Sequence, residues 1–463
     1  MLTKRGYKVS KAALSTEETL DLRNELLICP VSSSHRQAPP PFSILKESVT
    51  DLYLPRCFAY SKYGAPEKEC KFPKHSTIDV PFSGSLRPIQ ETVVEAYLQE
   101  ARYGSGSGTI VLMCGGGKTC VALFITHALG VKTLVVVHKT FLLDQWRDRI
   151  KQFLPTAKIG IMKGDKFQHA DCDIVIASLQ TMISRKYPLD GFGLTIYDET
   201  HHMSARVFVT SLMAETTKYT LGLTATPDRK DGLGHVFTWF IGRVVYRQDE
   251  SDMKRSDVRV RTPKLPQRDP VQYDYSGRPD TVAMITDLCN NVARTQDVAD
   301  MALSILEDPE RCVLVLSERR KHLEDIYKLL EPTHGHEMGY YVGGMKASER
   351  EAVERDARVI MASVSAAAEG FDVPRLNCII LASPRSDVEQ SVGRIMRTPA
   401  GVGPLYPLII DPYDPLFPGA SKKRRALYKK RGYKFEKDTH DDDDDESEST
   451  QSTLNLSHLF VES

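Results

Sequence analysis

No stretch of the 463-residue chain approaches the roughly 20 consecutive apolar residues that a membrane span needs. The start, MLTKRGYKVSKAALS, lacks the apolar segment of about 7 to 15 residues that marks a signal peptide. An intracellular protein with no membrane partner is expected. Metal-site spacing is missing too. The nine cysteines are odd in number and scattered, with no CxxC pair, which argues against a zinc ribbon or a disulfide framework. No repeat of solenoid period runs through the chain, and no NKxD segment is present to read a nucleotide base.

Net charge is also absent, since 61 Lys and Arg balance 61 Asp and Glu, but the balance is uneven. Residues 436–463 hold ten acids against the single base Lys437, a net −9, so residues 1–435 carry +9. An excess of that sign suits a polyanion partner, and it equally suits an ordinary solvated basic surface. What is present in quantity is a soluble globular composition, 41% hydrophobic and 26% charged, in a chain long enough for two or three domains.

The pattern along the chain changes several times. Residues 1–80 form an accessory segment with weak helical rhythm in LSTEETLDLRNELL and a loop at SSSHRQAPPP. From residue 81 to 247, short apolar runs (TIVLMC, TLVVVH, DIVIAS, LTIYDE, YTLGLTAT) alternate with helical stretches, which predicts a parallel sheet covered on both faces. Residues 248–280 are rich in Pro, Asp and Arg and read as the interdomain connection. The alternation returns over 281–415 in RCVLVLS, ARVIMAS, NCIILAS and LYPLIID, giving two α/β units in tandem. Residues 416–463 begin with the basic KKRRALYKKRGYK and continue into DDDDDESES, a run too charged and too poor in apolar residues to fold, so a disordered acidic tail is expected.

The run TIVLMCGGGKTC raises the first chemical question. A strand that turns through Gly115, Gly116 and Gly117 into a helix starting near Lys118 aims several backbone N–H groups at one point, which suits a phosphate. Side chains there would block the close approach, and some positions need positive φ. Lys118 then reaches the β and γ phosphates, and the Thr119 hydroxyl holds Mg2+. The full GxxxxGKT pattern is not met, because Leu112 stands where its first Gly belongs. About 80 residues later LTIYDETHH ends an apolar strand in Asp198 and Glu199. Adjacent acids at a strand end are commonly just a solvated turn. At this distance from a glycine loop they are the expected ligand of Mg2+ (Asp198) and activator of the attacking water (Glu199).

With LGLTATPDRK and EQSVGRIMR added, the chain resembles the superfamily 2 helicases of the DExH type over about residues 81–411. LRPIQ, with Arg87 and Gln90, resembles the adenine-side Q motif, MCGGGKT motif I, and TLVVVHKTFLLDQW motif Ia. DETH resembles motif II and TATP motif III. CVLVLSERRKHLEDI, VIMASVSAAAEGFDVP and QSVGRIMR resemble motifs IV, V and VI. The wording is similar to the branch of phage branch-migration helicases, TFIIH-type repair translocases and the poxvirus transcript-release helicase, and residues 1–80 resemble helicases of large cytoplasmic DNA viruses. Two departures are visible: His202 doubles the motif II histidine His201, and Ser363 replaces a commoner Thr while keeping the hydroxyl.

The resemblance implies two RecA-like domains with ATP and Mg2+ between them and nucleic acid across both. Arg87, Gln90, the glycine loop, Lys118 and Thr119, with Gly370 and Asp372 from motif V, are then the nucleotide contacts. Asp198, Glu199, Gln390, Arg394 and Arg397 become catalytic, and Thr224 and Thr226 the coupling residues. Thr140, Gln180, Ser363 and Arg385 are the expected nucleic-acid contacts. DNA-directed 3' to 5' movement is the expectation, with an RNA helicase and a silent nucleic-acid clamp as alternatives. Transcription or repair proteins are candidate partners. The clamp is disfavoured because Lys118, both motif II acids and both motif VI arginines are retained.

Overall fold

Continuous apolar strands are buried on both faces, and each face needs its own cover. The computed structural model describes residues 1–3, 5–29, 40–66, 74–113, 115–138, 141–164, 166–184, 190–198, 212, 217–225, 234–249, 254–368, 371, 373–396 and 405–436. The chain divides into two units, residues 1–253 with 369–371, and residues 254–368 with 372–463.

The first unit opens on six short strands, β1 (Leu2–Thr3), β2 (Gly6–Ser10), β3 (Leu27–Ile28), β4 (Phe42–Ser43), β5 (Lys46–Glu47) and β6 (Asp51–Leu54). They form an antiparallel sheet of order β1-β2-β6-β5 and a separate β3-β4 pair. The main sheet follows. Its strands are β7 (Ser107–Val111), β8 (Thr133–Val137), β9 (Ile159–Lys163), β10 (Lys166–Phe167), β11 (Ile174–Ser178), β12 (Leu194–Asp198), β13 (Tyr219–Thr224) and β14 (Val244–Arg247). Among the described residues the order is β10-β9-β11-β8-β12-β13-β7-β14, parallel except for the β10 hairpin.

Side chains alternate faces along these strands. Val135, Val137, Ile174, Ile176 and Ile196 pack with Val93, Tyr97, Val121, Leu123 and Trp146 from the helices Pro88–Tyr103, Lys118–Leu129 and Phe141–Phe153. Leu134, Val136, Val175 and Ala177 face the other way and share a core with Phe237 and Phe240 of the helix Gly234–Ile241 and with Leu22, Leu52, Leu54 and Phe58. The N-terminal segment therefore shares the core on the sheet's second face. Each buried Leu, Ile or Val contributes roughly 1.5 to 3 kcal/mol. Arg56 fastens the segment, donating from a buried guanidinium to Ser107 Oγ (3.0 Å), the Lys218 carbonyl (2.8 Å) and the Thr217 carbonyl.

The second unit carries β15 (Arg259–Arg261), β16 (Val313–Ser317), β17 (Met338–Tyr341), β18 (Val359–Ser363), β19 (Cys378–Leu381), β20 (Leu408–Ile410) and β21 (Lys434–Phe435). All are parallel, in the order β17-β18-β16-β19-β20-β15-β21. The stretch read as interdomain connection thus supplies β15, and the basic stretch supplies the helix Pro418–Lys430 and β21. Both units are parallel-sheet α/β domains, as the sequence pattern predicts, and RecA-like, as the resemblance implies. The acidic run lies outside the described residues.

His322, fully buried on the helix Arg320–His334, shares a 3.0 Å hydrogen bond with Ser317. Burial, and then the nearby Arg294 charge, hold its pKa down at about 3, with Asp325 opposing. The unfolded value is near 6.5, so the unfolded state binds the extra proton between these limits and stability from this group falls as pH drops through that window. Going from pH 7 to pH 5 is expected to cost about 2 kcal/mol through His322 alone. Urea unfolding of wild type and His322→Gln at both pH values checks this, the variant losing less on acidification. Equal losses would show that other groups set the acid sensitivity.

Candidate active site

The carboxyl ends of parallel strands are where open α/β sheets place their ligands, and most of the expected site residues that can be described lie there. β7 ends at Val111 and the chain turns into the helix Lys118–Leu129 through the glycine loop. Gly115 (φ 82) and Gly117 (φ 84) hold left-handed conformations that only glycine adopts without strain. Gly117 has a second reason to lack a side chain, because a Cβ there would lie 2.2 Å from Nε2 of Gln90. That nitrogen donates to the Gly116 carbonyl at 3.2 Å, while Gln90 Oε1 accepts from the Arg87 N–H at 2.9 Å. One buried glutamine therefore ties the start of the helix Pro88–Tyr103 to the loop. On the other side the Met113 N–H donates to Oε1 of the buried Gln248 at 3.3 Å. Lys118 and Thr119 stand half-buried in the first helical turn, where backbone N–H groups have no partner within the helix. A loop and helix start of this kind can hold a phosphate.

Two strands away lies the carboxylate. Asp198 pairs in register with Leu223, and Thr224 with Val111, so β12, β13 and β7 finish side by side. Asp198 and Thr224 are both buried. Asp198 Oδ2 accepts a 2.8 Å hydrogen bond from the indole N–H of Trp146, itself 2% exposed. This bond fixes the carboxylate's orientation. Mg2+ is usually held by one or two protein oxygens together with phosphate oxygens rather than by an all-protein cage, and the Thr119 hydroxyl and the Asp198 carboxylate fit that donor set.

Trp146→Phe keeps most of the buried ring and removes the donor. With Asp198 holding Mg2+, as the resemblance implies, this change is expected to weaken Mg2+-dependent turnover about 10- to 100-fold, the usual worth of a group that orients a metal ligand. A Mg2+ titration of the expected ATP hydrolysis, with thermal melts as the folding control, measures it. An unchanged Mg2+ requirement would reduce the bond to a packing detail.

In the second unit Ser317 and Ser363 end β16 and β18 opposite each other, and Ser383 Oγ accepts from the Glu318 N–H at 2.9 Å. Arg385 lies just beyond, donating to the Asp387 carbonyl at 2.6 Å and standing 3.7 Å from Glu318. Two buried arginines support this edge. Arg294 forms a bidentate pair with Asp414 at 2.9 Å and donates to the Ala382 carbonyl at 2.7 Å. Arg424 pairs with Asp411 at 2.8 Å and donates to the Arg385 carbonyl at 2.5 Å. Gln390 and Arg394 are half-buried on consecutive short turns, Glu389–Val392 and Gly393–Ile395. In the first unit, Gln180 is exposed just past the end of β11. Thr140, Glu199, Thr226, Gly370, Asp372 and Arg397 lie outside the described residues.

Sequence reading missed Trp146 as a partner of Asp198, Gln248, and the Arg294 and Arg424 pairs. The signal for Trp146 was available, since DQW falls within the motif Ia segment. Gln248 carried none, being one polar residue in a stretch read as a connection.

Fold and strand-end geometry together define a pair of RecA-like domains, the first with a glycine loop able to hold a phosphate. Residues 83–229 match the family model described as type III restriction enzyme, res subunit, and residues 295–399 match the helicase conserved C-terminal domain. A putative ATP-dependent RNA helicase of Acanthamoeba polyphaga mimivirus is 31% identical over 458 residues, covering 94% of this chain and 86% of that protein. A DNA 3'-5' translocase of Sulfurisphaera tokodaii is 34% identical over 195 residues, 40% of this chain and 42% of the other. Among solved structures, the fragment of a putative HsdR subunit of a type I restriction enzyme from Vibrio vulnificus has a TM-score of 0.56 at 18% identity, covering 77% of this chain and 69% of that one, a likeness of fold. The chain belongs to the superfamily 2 helicases, with relatives in large DNA viruses, and is an ATP-dependent helicase.

Proposed function

We propose that this helicase is DNA-directed and moves 3' to 5', with ATP on the glycine loop of the first domain. The observation that carries the nucleotide assignment is the Gln90 bridge to Gly116, at the same sheet edge as Asp198 and Thr224. Lys118 places its charge against the β and γ phosphates, Thr119 and Asp198 hold Mg2+, and Glu199 activates the attacking water. Mg2+, when bound, offsets charge on the phosphates. Arg87 and Gln90 face the adenine side, and Gly370 and Asp372 add contacts from the motif V segment. Gln390, Arg394 and Arg397 complete the site on domain closure. Thr224 and Thr226 link hydrolysis to strand movement. Thr140, Gln180, Ser363 and Arg385 hold the nucleic-acid backbone, through contacts that carry no sequence information.

DNA and the polarity are favoured by the similarity to the translocase of S. tokodaii, whose name states both. The mimivirus relative, named as an RNA helicase, supports RNA as the second reading. ATP turnover of the purified protein with single-stranded, duplex and forked DNA and the matching RNAs decides between them. Stronger stimulation by RNA at equal nucleotide concentration would overturn the DNA assignment. Displacement of a strand from substrates with one overhang or the other tests the polarity.

A further inference from the structure

The run KKRRALYKKRGYK looks like one basic block, but folding sorts its charges by side. The helix Pro418–Lys430 turns Ser421, Arg424 and Tyr428 inward, at i, i+3 and i+7. Arg424 is committed to Asp411, and Arg431, just past the helix, to Glu389. Lys422, Lys423, Arg425 and Lys429 are exposed. At about 100° per residue these four occupy an outward arc of roughly 160°. No Asp or Glu occurs between Pro418 and Phe435. Among the described residues, Lys422, Lys423 and Lys429 have no ion pair.

The chain itself leaves beside this face. It turns at Gly432 (φ 71) into β21, where the Arg425 guanidinium lies 5.4 Å from the centre of the Phe435 ring. The next residue, Glu436, is anchored to Arg261 at 2.5 Å. Six consecutive acids, Asp441–Glu446, begin five residues further on. Five residues span at most about 18 Å, and a 13-residue helix is about 20 Å long, so the acids can reach the exposed cations from that anchor.

We infer that the outward face of the helix Pro418–Lys430 is a docking surface for the acidic run Asp441–Glu446 of the same chain, held by charge. A nucleic-acid backbone is the other polyanion that could lie on these cations. The acidic run has the advantage of its tether, which holds it at an effective concentration on the order of millimolar with no second molecule to recruit. Nucleic acid must then displace it. Because the groups are exposed, the contact weakens as the screening length drops from about 10 Å at 0.1 M salt to about 3 Å at 1 M.

Zero-length carbodiimide cross-linking of the full chain, read by mass spectrometry on the monomer band, tests the docking without relying on helicase activity. Amide links from Asp441–Glu446 to Lys422, Lys423 and Lys429 are expected at low salt, falling several-fold at about 1 M. Links spread evenly over exposed lysines on other elements, such as Lys151 and Lys328, or links only between chains, would overturn the inference. A second arm replaces Asp441 to Asp445 with Asn in the full chain. Its affinity for single-stranded DNA should rise several-fold at low salt, with the gain vanishing at high salt. Nucleic acid shielding the helix lysines while the acidic run never links to them would show that the surface serves nucleic acid instead.

Discussion

Lys118→Ala is expected to lower ATP turnover by about 10^3-fold while both domains stay folded, a loss at the upper end for removing one preorganised charge-stabilising donor. The fold should tolerate the change because the core face of its helix is Val121, Ala122, Leu123 and Ile125, all buried, whereas Lys118 is half-buried at the first turn. Alanine also has the highest helix propensity. Steady-state hydrolysis and binding of a fluorescent ATP analogue measure the effect, with circular dichroism melts as the control. Glu199→Gln separates two roles at one site: analogue binding should persist while hydrolysis is lost, since only activation of the water is removed. Near wild-type turnover in Lys118→Ala would sink the assignment of the loop.

The strands legible in the sequence were those covered on both faces. TLVVV and IVIAS read as strands because every position is buried, one set of side chains against three helices and the other in a core shared with the helix Gly234–Ile241 and the N-terminal segment. β15 and β21 were not legible. In RVR only Val260 is fully buried, and KF is two residues long. Both join the sheet by backbone pairing, β15 with β20 and β21 with β15, and that pairing leaves no apolar rhythm to read. The shared core of residues 1–63 was hidden for a similar reason, since Leu52, Leu54 and Phe58 come from elements too short to show a period and the helix that holds Leu22 shows only a weak one.

At the site the same distinction holds between local and distant causes. Three glycines opening a helix state their own reason within a few residues, and two of them adopt the positive φ that explains them. Gln90 was reached through resemblance to a motif, and its bond to Gly116 crosses 26 positions of sequence. The bonds from Trp146 to Asp198 and from Met113 to Gln248 span 52 and 135 positions. Such contacts depend on strand order, which periodicity does not determine. The switch point between β8 and β7, where β12 and β13 intervene, is what brings these residues to one edge.

Arg394→Ala is expected to lower nucleic-acid-stimulated turnover by about 10^3-fold, the low end for an arginine finger, and to change the basal rate far less. The difference follows from the proposed mechanism, in which Arg394 meets the developing γ-phosphate charge only in the closed state that nucleic acid favours. The residue itself is held in place: Val392, Gly393 and Ile395 around it are buried, so the turn should survive truncation of the side chain. Arg394→Lys refines the test, since it keeps the charge and loses the planar fork that can meet two phosphate oxygens at once. Its stimulated rate should fall between wild type and the alanine variant. Rates with and without saturating nucleic acid, compared across the three proteins, separate a closure-dependent group from a structural one. Equal loss of basal and stimulated rates, by tenfold or less, would assign Arg394 to the stability of the second domain rather than to the transition state.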